Sequence, residues 1–390
     1  MFEYPFKFEV QFLDEFFHAI ENYWKNHPEL IKLPNKNHLK QLIEISTFAS
    51  IGKEESRSIS FTLTYESINN DSFSCIFKNP LPFNIDNLIK LAPALMNTSY
   101  SIGVAIDEND RFFIWGFTLL PSHLRVFAIE PMKIIIHCYQ VDAIITGSKA
   151  FLIGNKFSFL NSLIWNKGRR KNQTLSVTNQ TYIDIIGNLM IAVRKIAHGG
   201  TVLIVPNNNQ WKESIKEPIK FELVPSHNIV KMDIETILKI NSSIEKASSQ
   251  KVSPSVNKKY DECWKSLVNS LGYIASLTAV DGAMILSYDF EVLAFGAKIK
   301  AKNTTNLPLF IRYVEPIEGS QPYSKEFTDI GGTRHQSAAQ FVFDQKDAIA
   351  IVASQDGKLT IFSWDPIIHE IAAFTNAEYW FLSKILFGWI

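Results

Sequence analysis

The chain is poor in cysteine and has no surplus of either charge. Cys75, Cys138 and Cys263 are scattered through 390 residues, with neither metal-ligand nor redox spacing. A sparse, odd set excludes a disulfide framework and points to a reducing compartment, so a cytoplasmic setting is expected. Lys+Arg and Asp+Glu both count 39, which leaves no net charge. Proteins that live on nucleic-acid backbones carry a basic excess or stripe, so no nucleic-acid partner is expected. The short basic run "NKGRRKNQ" at 166–173 reads as a solvated loop. No apolar run reaches the roughly 18 residues that span a bilayer as a helix, so no membrane span is expected. Acidic residues interrupt "FEYPFKFEVQFLDEFF" after Met1, so it does not read as a signal peptide. The closing "YWFLSKILFGWI" is apolar but short, and reads as an end that docks on a core or a partner.

Familiar site motifs are also missing. There is no GxxxxGKS/T phosphate loop, no GxGxxG, no HExxH and no GxSxG. What is present is ample core material: 46% of residues are hydrophobic and 20% charged. That composition excludes a disordered chain, and the length allows two or three domains.

Phe12, Phe16, Phe17, Ile20 and Trp24 recur at helical spacing, which predicts an amphipathic helix over 9–25. "NKNHLKQLIEISTFAS" predicts a second helix, with Asn35 or Asn37 as its cap. "RSISFTLTY" alternates and reads as a strand. "YSIGVAIDENDRFFIWGFTLL" reads as two strands joined at "DEND". The Ile-, Val- and Phe-rich stretch that follows adds more strands. The first half is therefore read as helices leading into a β-rich module.

The texture then changes. "TYIDIIGNLMIAVRKIA" is helical and runs into the strand-like "HGGTVLIVP". "DECWKSLVNSLGYIASLTAV" is helical and runs into "DGAMILSY". The two units echo each other, either by duplication or because a helix-to-strand connection needs glycine. Between them, "NSSIEKASSQKVSPSVNKK" at 241–259 reads as a linker. Helices and apolar strands alternate to the end of the chain, which predicts an α/β layer with a largely buried sheet.

Three short segments there place polar or small residues at strand and helix ends. Asp281-Gly282-Ala283 opens a strand, Gly332-Thr333-Arg334-His335-Gln336 opens a helix, and Ser354-Gln355-Asp356-Gly357 closes a strand. Singly, each reads as a turn or a surface patch. Together they describe an anion site: backbone N–H groups and the dipole at a helix start, with the Arg334 fork and a His335 donor beside them. Asp281 remains to hold a divalent metal or approach a hydroxyl. Anion, metal and hydroxyl together point to nucleotide chemistry.

The ordered series "DGA", "FGAKI", "GTRHQSAA" and "DAIAIVASQDGKLTIF" resembles the catalytic domain of diadenylate cyclases over about residues 258–370. "LPNKNHLKQLIEISTFASIGKEESRSISF", "IWGFTLLPSHLRV" and "AHGGTVLIVP" resemble the β-rich DACNV sensor domain that precedes such domains, over much of 30–207. The resemblance implies three segments: a sensor with N-terminal helices (1–207), a connector (208–259) and a cyclase domain (260–390). The implied fold class is α/β within an α+β chain, a C-terminal mixed sheet flanked by helices. The implied reaction condenses two ATP to cyclic di-AMP and two pyrophosphates with Mg²⁺ or Mn²⁺, in a face-to-face dimer governed by an unidentified sensor ligand.

By that resemblance Asp281 binds the metal and prepares the 3′-hydroxyl. Gly282 and Ala283 admit the nucleotide, and Leu293 to Gly296 line the adenine. Gly332, Thr333, Arg334 and His335 hold phosphates, and Ser354 reaches the polyphosphate end. Gln336 and Gln355 count among the nucleotide contacts and Asp356 as a second metal ligand. The chain departs from the family at two of these places. Gln336 stands where an arginine is usual, and Gln355-Asp356 stands where two carboxylates are usual. The alternative reading is a DAC-like module that binds nucleotide without turnover.

Overall fold

The structure is a computed structural model. It describes residues 10–26, 34–68, 74–95, 100–119, 123–139, 141–147, 149–154, 157–164, 175–196, 198–246, 254–302 and 307–386. The run 166–173 lies outside them, as do residues 247–253 of the expected linker and residues 387–390. Two compact units are present, Met1–Gly154 and Asn155–Ile390.

In the first unit, helix α1 (Val10–Lys25) buries Phe12, Leu13, Phe16 and Ile20. Helix α2 (Lys36–Ala49) is capped by Asn35, whose side-chain oxygen accepts from the His38 N–H at 2.9 Å. That bond satisfies an N–H with no partner inside the helix. A two-strand ribbon, β1 (Lys53–Glu54) with β2 (Arg57–Ser58), follows, and a third helix, α3 (Ile85–Leu91), comes later in the unit. Strands β3 (Phe61–Tyr65), β4 (Ser74–Pro82), β5 (Ser101–Ile106), β6 (Phe112–Thr118), β7 (Leu124–Glu130), β8 (Lys133–Cys138), β9 (Val141–Thr146) and β10 (Lys149–Ile153) form one sheet in the order β10-β9-β8-β7-β3-β5-β6-β4. The β5–β6 hairpin turns where "DEND" predicts it: Asp107 Oδ1 accepts from the N–H of Asn109 and of Arg111, both at 2.9 Å. Leu63, Val104, Val126, Ile136 and Ile145 share a core with Phe16, Leu42 and Ile43 of the helices.

In the second unit, β11 (Gly200–Val205), β12 (Phe221–His227), β13 (Ala283–Ser287), β14 (Val292–Ala297), β15 (Phe310–Val314), β16 (Tyr323–Glu326), β17 (Ile349–Ala353), β18 (Leu359–Asp365) and β19 (Glu370–Phe374) form a mixed nine-stranded sheet, ordered β12-β14-β13-β11-β17-β18-β19-β15-β16. Its helices are α4 (Phe157–Ile164), α5 (Asn179–Lys195), α6 (Ile229–Lys246), α7 (Pro254–Ser276), α8 (Thr333–Asp344) and α9 (Ala377–Leu386). Helix α8 packs Ala338, Phe341 and Val342 against Leu203, Ala350 and Phe362. The alternate strand residues, such as Val202, Ile204 and Ile351, are also fully buried. A strand buried on both faces belongs inside an α/β sheet, and α5 packs on β17 as well as on α7 and α9. The expected docking of the chain's end is seen at Tyr379, Trp380, Phe381 and Leu382, all buried.

Two boundaries differ from the sequence reading. The break expected near residue 207 lies at 154/155, because β11 pairs with β13 and β17 and is internal to the second sheet. The segment 208–259 is not a plain linker: it contributes edge strand β12, all of α6 and the start of α7. The echoing units become parallel neighbours. Strand β11 runs beside β13 from Thr201↔Ala283 to Val205↔Ser287, each entered from a helix. Among the described residues no helix is long and apolar enough to cross a membrane.

Candidate functional site

Strand register gathers two of the three segments at one edge of the second sheet. Ala283 at the start of β13 pairs with Thr201 of β11 and with Ala297 at the end of β14. Gly200 at the start of β11 pairs with Ala353 at the end of β17, and Ala353 pairs with Leu359. Asp281-Gly282, Gly199, Ser354-Gln355 and Lys298 therefore leave the sheet at the same edge. Loops at strand ends are where α/β sheets collect ligands.

The start of α8 faces this edge. The helix begins at Thr333, with Gly332 at its N-cap, so Arg334 and His335 stand in its first turn. A Cβ built on Gly199 would meet the Ala353 carbonyl oxygen at 2.9 Å, Arg334 Nη1 at 3.0 Å and the Gln355 nitrogen at 3.3 Å. Gly199, Arg334 and Gln355 thus converge. The Gly199 φ of +67° keeps that contact open only to a residue without a side chain.

Asp281 extends into solvent, with its side chain 88% exposed, and its carboxylate pairs with Lys298. The Lys298 hydrogen bond and charge hold the Asp281 carboxyl below the usual range, and Arg334 adds to the effect. Ala283 is buried and Thr333 exposed. Gln336 turns its amide to the Thr328 carbonyl, 3.2 Å away.

His335 is half-buried, its ring edge-on to Phe362 at 6.1 Å. Burial pushes its pKa down, and Asp356 partly offsets this. With Ser354, Asp356, Lys358, Tyr313, Tyr323 and Lys325, it lines a cleft of about 370 Å³. Burial raises the Asp356 pKa, but the Ser354 hydroxyl and Lys358 outweigh it and bring it to about 2. The Asp356 carboxylate is thus engaged by Ser354 and by the Lys358 ammonium, the latter at 3.0 Å. Arg194 at the end of α5 donates to the Gly357 carbonyl at 2.8 Å and pins this loop.

Leu293 is set apart from these groups. It lines a separate cavity of about 320 Å³ with Asn207, Trp211, Ser287 and Glu291, where β11 and β13 end. Gly296, by contrast, lies against Gly282.

Lys298, Gly199 and Arg194 were not singled out from sequence. Gly199 sits in the quoted "HGG", and a pairing of β11 with β13 would have placed it. Lys298 sits in the quoted "FGAKI" with no role assigned to it, and an arginine at a helix end carries no such signal.

Among the described residues no three His, Cys, Asp or Glu side chains cluster to hold a metal. A lone exposed carboxylate suits a Mg²⁺-type ion, which is held by one or two carboxylates and by substrate phosphates. Asp281 fits that donor set. Asp356, held by both Ser354 and Lys358 where Asp281 is held by Lys298 alone, fits it less well.

Fold and site together define a two-unit protein: a helix-backed antiparallel-rich sheet, then an α/β unit with a polar strand-edge site. Residues 28–119, inside the first unit, match the family model described as "Probable sensor domain DACNV". The match stops at 119, short of the span to 207 read from sequence, and "AHGGTVLIVP" falls in the second unit instead. No curated protein matches the chain.

Proposed function

We propose that the chain is a diadenylate cyclase, its second unit condensing two ATP into cyclic di-AMP and two pyrophosphates and its first unit acting as the sensor. The observation that carries this reading is the convergence at one sheet edge of Asp281 and Ser354-Gln355, through strand register, and of Arg334, from the start of α8. The DACNV match in the first unit supports it, since by the resemblance such sensors precede cyclase domains.

In each of the two steps a 3′-oxygen bonds to the α-phosphorus of the other nucleotide. The α–β phosphoanhydride bond breaks, pyrophosphate departs with that electron pair, and the proton of the hydroxyl passes to solvent water. Such transfers depend on positioning and charge neutralisation rather than on a covalent enzyme intermediate. A bound Mg²⁺ or Mn²⁺ supplies charge neutralisation and a more acidic hydroxyl. Asp281 would hold that ion and orient the 3′-hydroxyl. Arg334 presents a planar fork to phosphate oxygens, which outweighs its mild conflict with the helix dipole. His335, whose burial disfavours the charged ring, offers a ring N–H to a phosphate oxygen. Ser354 and Lys358 face the polyphosphate end.

Purified protein incubated with ATP and Mn²⁺ should yield cyclic di-AMP and pyrophosphate by mass spectrometry. Asp281→Asn should yield neither while its circular dichroism stays that of the wild type. Full turnover in the Asn variant would overturn the assignment. The neutral Gln336 favours a second reading, a nucleotide-binding module without turnover. In that case the incubation returns ATP unchanged although ATP binds.

A further inference from the structure

We infer that Lys298 is the second phosphate-binding cation of the proposed site, held in reserve on Asp281 until metal and nucleotide arrive. The inference rests on the cyclase reading and concerns a residue that lies within the quoted "FGAKI" but to which the resemblance assigns no role.

The backbone fixes where Lys298 stands. Buried Ala297 pairs with Ala283, so the next residue is delivered beside Asp281-Gly282. The segment is pinned on its other side as well. The Lys216 N–H donates to the Lys298 carbonyl at 2.8 Å, the Lys300 N–H donates to the Ser214 carbonyl at 3.0 Å, and Ile299 bridges Ile215. A surface lysine in a loop would have no such placement.

The pair it makes is ill suited to a structural role. The Lys298 side chain is 51% exposed and that of Asp281 88% exposed. Ion pairs so open to water add little stability. They do remain reachable by a ligand. Lysine is also the cation suited to moving, a compact charge on a flexible stem rather than a rigid fork.

Charge balance gives it something to do. In the resemblance Gln336 replaces an arginine, and its amide is turned to the Thr328 carbonyl. The site is therefore one cation short on α8. Lys298 supplies one from the exit of β14. With no nucleotide, its ammonium neutralises Asp281 and competes with any divalent ion for that carboxylate. When metal and triphosphate enter, Asp281 takes the ion and Lys298 turns to a phosphate oxygen of the same nucleotide.

This predicts effects of opposite sign from one substitution. Full-length wild type, Lys298→Met and Lys298→Arg are titrated with 3′-deoxy-ATP and Mg²⁺, a probe that binds but lacks the attacking hydroxyl. Each nucleotide-free protein is also titrated with Mn²⁺, read by electron paramagnetic resonance of the free ion. Lys298→Met should lose about tenfold or more in 3′-deoxy-ATP affinity, the scale of one charge-assisted hydrogen bond. The same variant should bind Mn²⁺ severalfold more tightly. Lys298→Arg should keep most of the nucleotide affinity.

A Met variant that matches wild type with both probes overturns the inference, as does one that loses affinity for both. Wild type that binds 3′-deoxy-ATP while Lys298→Met is unchanged sinks only the role of Lys298. Wild type that binds no 3′-deoxy-ATP sinks the cyclase reading and this inference with it.

Discussion

Gly282 lies so close to Gly296 that a Cβ added to it would stand 2.4 Å from the Gly296 carbonyl carbon and 2.7 Å from its oxygen. Those atoms are backbone and cannot step aside, because Ala297 is held in register with Ala283. The φ of Gly282, +125°, is also one that side-chain-bearing residues rarely adopt. Gly282→Ala should therefore cost roughly 1–3 kcal/mol, the scale of a strained backbone position. It should also shift Asp281 away from Lys298. A lowered urea midpoint, together with faster hydrogen exchange in β13 and β14, is the expected result. Wild-type values of both would show that the strands can part at no cost.

Arg334 comes up to Gly199 from the first turn of α8, where its charge opposes the helix dipole. On the proposed function, Arg334→Ala should raise KM for ATP and lower kcat together, since a charge-assisted contact tightens as pyrophosphate forms. A loss of about 10-fold or more in kcat/KM corresponds to one such contact. Gln336→Arg should keep or raise activity. Steady-state rates with varied ATP check both, and an Arg334→Ala enzyme with wild-type kcat/KM would remove Arg334 from the site.

Asp184 on α5 gives a pH-dependent test that needs no substrate. Burial raises its pKa to about 6, although Gln180 donates to its carboxylate at 2.7 Å. The folded state thus holds this proton more tightly than the unfolded state does. The resulting stabilisation is complete below the ordinary carboxylate pKa and is lost as pH rises through about 6. Asp184→Asn should match wild type near pH 4 and become the more stable protein by about pH 8. Denaturant midpoints across that range will show whether the gap opens as pH rises. A gap of constant size would mean that Asp184 does not titrate abnormally.

What was legible in the sequence was local. The Asn35 cap and the turn at Asp107–Asp110 follow from side chains that bond backbone within a few residues. The three site segments were legible because each carries its own turn chemistry. Strand β11 was assigned to the wrong unit because its partners, β13 and β17, lie far along the chain, and local pattern does not state pairing. The same gap hid Gly199, which meets Arg334 only once β11 and β17 are paired. Lys298 was hidden for a related reason: its significance lies in the β13–β14 register, not in its neighbours. Leu293, read as an adenine contact, illustrates the reverse. Sequence proximity to Gly296 did not carry it to the same end of β14.

The proposed product makes a demand on assembly. A cyclic dinucleotide contains two 3′–5′ links, and each needs a hydroxyl aimed at the other nucleotide's α-phosphate. One edge with a single Asp281, Arg334 and His335 accommodates one ATP. Two second units must therefore meet face to face, in an isologous arrangement with an ATP on each. Specific activity should then rise with enzyme concentration in the dilute range. The first unit could regulate by favouring or blocking that encounter, with no change at Asp281 or Arg334. Mixing tests this directly. A fixed amount of wild type is combined with increasing Asp281→Asn protein, and mixed dimers are verified by native mass spectrometry. Each mixed dimer holds one competent edge and one impaired edge, so it cannot form both links. The wild-type rate should fall steadily as mutant is added, because active partners are drawn into unproductive pairs. Constant wild-type activity in the presence of verified mixed dimers would rule out the two-edge mechanism for this protein.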